Sequence, residues 1–166
     1  MPTPDDFLET RVDAEDIILR KPVGPIHDPE SRFSGSFSFG YLDGFMWTVL
    51  KDLGYRTKAG PICTVRKGFQ FDWASIPRPF WIIVPPTGTA RNPYGIAAVF
   101  HDWIYEHGKI AGVPVTRSRA DSVFLEILRY VGVNRFLASS MYLAVRVGGW
   151  FGWRRARKKE KRSGSV

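Results

Sequence analysis

The stretch KGFQFDWASIPRPFWIIVPP, residues 67–86, constrains this chain more than any other. Prolines at 77, 79, 85 and 86 lack a backbone donor and disfavour helical geometry in the residue before them, so no long helix runs through it. Upstream, the aromatic and β-branched runs FMWTVL and ICTV are broken by KDLGYRTKAGP, which reads as strands joined by a turn or short loop. Downstream, apolar residues recur every three to four positions. This switch of hydrophobic period near Pro86 predicts an α+β fold. A small antiparallel sheet is expected over about residues 36–72, followed by three helices between 92 and 153.

The first helix is written in NPYGIAAVFHDWIYEHG. Asn92 is a candidate N-cap, Pro93 suits the first helical position, and Gly108 suits the residue after the end. Ile96, Val99, Phe100, Trp103 and Ile104 form its apolar stripe. The second helix lies in TRSRADSVFLEILRYVG, capped by Thr116 or Ser118 and stopped by Gly132, with Val123, Ile127, Leu128 and Val131 facing inward. The third runs from Asn134 to Trp153. Its apolar run approaches membrane-span length, but Arg146, two serines and Gly148-Gly149 favour a core helix.

Composition sets the outer limits. A chain of 166 residues with 44% hydrophobic and 14% aromatic side chains supports one domain with a real core. Its single Cys63 excludes an intramolecular disulfide, as expected in a reducing compartment or in a virion assembled there. MPTPDDFLET lacks the apolar core of a secretory signal. Residues 1–35, rich in Pro, Asp, Ser and Gly, read as an arm, and FSGSFSFGY as an edge strand or part of that arm. Residues 36–153 read as the domain and 154–166 as a basic tail. RRARKKEKR (154–162) holds seven basic residues and one acid, and so six of the eight net positive charges. This tail suggests an anionic partner, nucleic acid or lipid headgroups, or else a solvated end. Trp150, Phe151 and Trp153 next to Arg154 and Arg155 suggest an interfacial anchor.

The chemistry centres on HDWIY, residues 101–105. On a helix His101 and Tyr105 share one face, with Asp102 beside them. Asp121 lies in the first turn of the second helix. There it can complete a capping box with Ser118, or reach His101 if the two helices pack antiparallel. In the second case the carboxylate would fix the imidazole tautomer, as a general base requires. Asp102 would then hold a hard cation, joined by Asp72. A second pair, His27-Asp28 in PIHDPE, reads as loop and shows that the dipeptide alone proves little.

KGFQFDWASIPRPFW, AAVFHDWIYEHG, TRSRADSVFLEIL and MYLAVRVGG, taken in order, resemble the successive signatures of a phage and prophage family, the domain-of-unknown-function family numbered 1353. The resemblance covers about residues 60–150. It implies a motif from Asp72 to Arg78 that includes Ser75, the pair His101-Asp102, and Arg117 with Asp121. It also implies phage origin, and with it a virion or host-cytoplasm location. His-Asp-x-x-Tyr with a distant Asp is, at the level of the site, similar to secreted calcium-dependent phospholipases. That resemblance implies His101 as base, Asp102 as a calcium ligand, Asp121 as the orienting group and Tyr105 in support. The chain lacks those enzymes' glycine-rich calcium loop and their disulfides.

Three function classes follow. The first is a metal-assisted hydrolase of a lipid or other ester, with calcium or another divalent cation and, as a minor variant, Ser75 as nucleophile. Such an enzyme would act on host envelope lipid at the inner membrane surface. The second is a non-catalytic virion or assembly component with virion proteins as partners. The third is a nucleic-acid binder acting through residues 154–162, without a recognisable fold motif to support it.

Overall fold

The computed structural model describes residues 31–35, 37–43, 46–72 and 93–163. Among the described residues, two three-stranded antiparallel sheets precede the helices. One has the order β1-β4-β5, built from Phe33–Gly35, Leu53–Arg56 and Ile62–Val65. The other has the order β2-β3-β6, built from Phe39–Asp43, Met46–Val49 and Gln70–Asp72. Three helices follow: α1 (Pro93–His107), α2 (Arg117–Tyr130) and α3 (Arg135–Ser163). A two-stranded hairpin, β7 (Lys109–Ile110) and β8 (Val113–Pro114), joins α1 to α2. The chain is thus α+β, with small antiparallel sheets before three helices.

KDLGYRTKAGP is not only a connection, because its centre is β4, the middle strand of its sheet. Phe33 pairs with Tyr55, and Tyr55 in turn with Cys63. Leu53 and Tyr55 alternate into the core, a period of two that the flanking Lys, Asp and Gly residues conceal. Phe33–Gly35, at the start of FSGSFSFGY, is β1, an edge strand of its sheet, as one of the two readings of that stretch expects.

The sheets join the helices through aromatic contact. The Phe33 ring meets Tyr55, Phe100 and Tyr130, reaching β4, α1 and α2 at once. Beside it the Glu126 carboxylate on α2 accepts from the Tyr55 hydroxyl at 3.0 Å and from Arg32 at 3.1 Å. The helical stripes face inward as their spacing predicts: Ile96, Val99, Phe100 and Ile104 on α1, Val123, Ile127 and Leu128 on α2, and its C-cap Val131 are buried, with Trp103 half-buried. Thr116 caps α2, its hydroxyl accepting from the Arg119 amide at 3.2 Å. Gly108 follows α1 with a φ of 64°, and Gly132 follows α2 with a φ of 82°.

Helix α3 differs from expectation in length. It does not stop at Trp153 but continues through the basic segment to Ser163, so most of the expected tail is helix. One face packs on the core through Ala138, Met141 and Ala144. Among the described residues, no helix is long and apolar enough to cross a membrane.

Candidate active site

Asp121 is 0% exposed, and donors from α1 and α3 converge on it. From α1, His101 Nε2 lies 3.0 Å from Oδ1, and the Tyr105 hydroxyl donates to the same oxygen at 2.6 Å. From α3, Arg146 donates to Oδ2 at 2.7 Å. Arg117, one turn earlier on α2, stands 3.7 Å from Oδ2 and donates to the Arg146 carbonyl at 2.8 Å, so it braces α3 as well. Ser118 is not the cap and Asp121 does not complete a capping box. With Thr116 at the N-cap, Asp121 lies on the buried face of α2.

The helices approach closely because the crossing residues are small. A Cβ at Gly149 of α3 would collide with the Tyr105 hydroxyl. The Tyr105 and Phe124 rings flank the imidazole at 4.1 and 4.9 Å, leaving His101 7% exposed.

The electrostatics follow from this packing. Burial pushes the Asp121 carboxyl up, but hydrogen bonds from His101, Tyr105 and Arg146 outweigh it and hold the group below the usual carboxylate range. Burial lowers the pKa of His101, although Asp121 opposes this, so its resting form is the neutral imidazole. Burial and the neighbouring carboxylate both raise Tyr105, which keeps its proton. An ionised carboxylate only accepts, so Nε2 carries the ring hydrogen and Nδ1 holds the lone pair. Nδ1 lies 4.0 Å from Asp102 Oδ1, longer than a hydrogen bond. The result is a neutral imidazole with its tautomer fixed and its basic nitrogen turned toward Asp102.

His101, Tyr105, Arg117 and Asp121 therefore meet, with Asp102 at the edge of the cluster. Asp72 ends β6, and its side chain lies outside the described residues, as do Ser75, Arg78 and the pair His27-Asp28. Arg146 is a cluster residue that none of the sequence motifs singles out. The signal was present: a lone cation inside the apolar run MYLAVRVGG requires a partner when that helix packs. Trp150, Arg154 and Arg155 are on the surface, whereas Trp153 is half-buried and turned inward, its ring 5.2 Å from Tyr105.

A cavity of about 300 Å³ opens elsewhere, lined by Cys63, Arg66, Trp103, His107 and Lys109 among others. At about 100° per residue, Trp103 points away from the His101 side of α1, so this cavity is not the Asp121 site. Its Cys63 thiol is pushed up to about 12 by burial, which leaves it an un-ionised core group.

No curated protein and no solved structure matches the chain. A family model described as "Protein of unknown function (DUF1353)" matches residues 47–145, more than half of the chain and all of the cluster except Arg146. The chain belongs to the DUF1353 family.

Proposed function

We propose that this chain is a phage-encoded hydrolase in which His101 activates water against an ester bond, lipid esters included. The observation that carries this reading is the 3.0 Å contact between His101 Nε2 and Asp121, which leaves Nδ1 as the basic atom. Nδ1 takes a proton from water as its oxygen attacks the ester carbonyl carbon. Asp121 stabilises the imidazolium that forms, and Tyr105 and Arg146 hold that carboxylate in place. Collapse of the tetrahedral intermediate breaks the carbon–oxygen bond to the leaving alcohol, which recovers the proton from Nδ1. The depressed pKa of His101 keeps it unprotonated, as a base must be, near neutral pH.

A calcium or other divalent cation beside Asp102 would supply charge against the developing oxyanion. Calcium takes roughly six to eight oxygen ligands, and Asp102 is a single carboxylate. Among the described residues no group of three His, Cys, Asp or Glu is arranged to hold a metal ion. The cation belongs to the proposal only through Asp102 and the expected contribution of Asp72.

A second reading, a non-catalytic virion or assembly component, draws on the same cluster. A fully buried carboxylate bonded from two neighbouring helices is also a structural clasp. Turnover separates the two. The purified full chain is incubated with short-chain phospholipids and a chromogenic carboxylic ester, with and without calcium. Loss of the general base in His101→Gln should lower turnover by about 10²–10⁴-fold at nearly unchanged melting temperature. Calcium should raise the melting temperature of the parent and not of Asp102→Asn. No turnover on any ester, or equal turnover by His101→Gln, would overturn the hydrolase reading in favour of the clasp.

A further inference from the structure

Helix α3 carries an apolar stripe on the side facing away from the core. Val147 is 81% exposed, Phe136 79% and Phe151 74%, and Leu143 and Trp150 are also exposed. At about 100° per residue these five side chains fall within an arc of about 100°, roughly opposite Ala138, Met141 and Val145 on the inner face. At about 1.5 Å per residue the stripe is about 22 Å long, too extended for an accidental scatter of single exposed residues. The same arc then changes character. Arg154 continues it, followed by Lys158, while Arg155, Lys159 and Arg162 add exposed charge around it. Arg154 lies over the Trp150 ring at 4.5 Å, and Trp150 meets Phe151 edge-on at 4.8 Å, so apolar and cationic parts form one surface.

We propose that α3 lies in the plane of an anionic lipid surface, its Phe136–Phe151 stripe inserted among the acyl chains and its last three turns on the headgroups. Two features select this occupant. Glu160 is the sole acid in the sequence of α3, so a second copy laying its own α3 in parallel along the stripe would bring like charges together. A nucleic acid would neutralise the basic end and leave the apolar stripe in water. An anionic bilayer satisfies both halves, and they reinforce each other. Trp153, the inward-turned aromatic, holds the helix on the domain instead of inserting. The proposal rests on the outer face of α3 alone and stands whether or not His101 hydrolyses an ester.

Co-sedimentation of the full chain with vesicles of phosphatidylcholine alone, or with about a third phosphatidylglycerol, tests it at two salt concentrations. The expected result is binding to the anionic vesicles, weakened by salt, with far less on the neutral ones. Leu143 and Val147 are exposed, so Leu143→Glu/Val147→Glu should retain the helical signal and melting temperature. It should lose at least about tenfold in vesicle affinity, because each side chain forfeits its burial in lipid. Arg154→Glu/Arg155→Glu should retain the fold and lose the anionic preference. Absence of binding to anionic vesicles overturns the proposal. So does binding that Leu143→Glu/Val147→Glu leaves unchanged and that duplex DNA matches, since the chain is then only a polycation. Concentration-dependent dimers abolished by the same double substitution, without vesicle binding, would assign the stripe to a second copy.

Discussion

Helix α1 carries two described histidines, and the neighbours of each assign them different roles. His101 is buried against a carboxylate that α2 presents and α3 neutralises. His107, six residues on, is half-buried, donates from Nδ1 to the Trp103 carbonyl at 2.9 Å, and stacks on that residue's ring at 3.8 Å. It faces the cavity that also holds Cys63, Arg66 and Lys109, and no acid is among the described lining residues. Both rings have one nitrogen fixed. Only at His101 is it fixed by a charge able to stabilise an imidazolium, so the partner, not the imidazole, marks the candidate site.

The largest effect that tests this contrast is loss of the carboxylate. Asp121→Ala leaves the Arg146 guanidinium and the Tyr105 hydroxyl without their acceptor and should cost about 3 kcal/mol or more in denaturant unfolding. His107→Ala removes a hydrogen bond made within its own helix turn and should cost about 1 kcal/mol or less. Equal costs would end the distinction. A smaller effect comes from the helix crossing. Gly149→Ala drives a methyl group against the Tyr105 hydroxyl, so about 1–3 kcal/mol of overpacking strain is expected, together with a weakened Asp121 cluster. Tyr105→Phe in that background removes the atom struck and should recover part of the loss. A double-mutant cycle measures the recovery, and strict additivity would show that the two residues do not meet.

The smallest effect is pH dependence, and both groups act in the same direction. Asp121 is held below the usual carboxylate range, so its contribution is complete above about pH 4 and is lost as pH falls through the depressed value. His101 is depressed too, so folding disfavours its charged form. Its contribution is complete above about pH 6.5 and declines on acidification from there. Unfolding free energy measured between pH 8 and pH 3 should fall in two windows, the upper absent in His101→Gln and the lower in Asp121→Asn. A profile unchanged in both variants would remove the cluster from the chain's acid sensitivity. Turnover, by the same reasoning, should rise with pH through a midpoint below the ordinary histidine pKa.

The helices were legible in the sequence because their signals are local. Pro93 and Gly108 mark the ends of α1, and the spacing of Ile96, Val99, Phe100 and Ile104 fixes its inner face. That spacing also put His101 and Tyr105 on one side. β4 escaped because LGYR owes its strand to the pairing of Tyr55 with Phe33 and Cys63, residues distant in the chain. A similar dependence on distance separated the two roles open to Asp121. Three positions after Ser118, a carboxylate resembles a cap partner, and only the packing of α2 against α1 turns it toward His101.

By itself, then, the sequence determined the order of sheet and helices, the inward faces of α1 and α2, and the candidate residues His101, Asp102, Tyr105 and Asp121. Periodicity, proline and glycine act within a few residues and can be read there. Tertiary structure alone decided that Arg146 neutralises Asp121, that Trp153 turns in while Trp150 stays out, and that the basic segment is the end of a helix. Each of these depends on how closely α3 approaches α1 and α2. That distance is set by Gly149 against Tyr105 and by the cost of leaving a charge unpaired inside, interactions between positions more than forty residues apart or on separate helices.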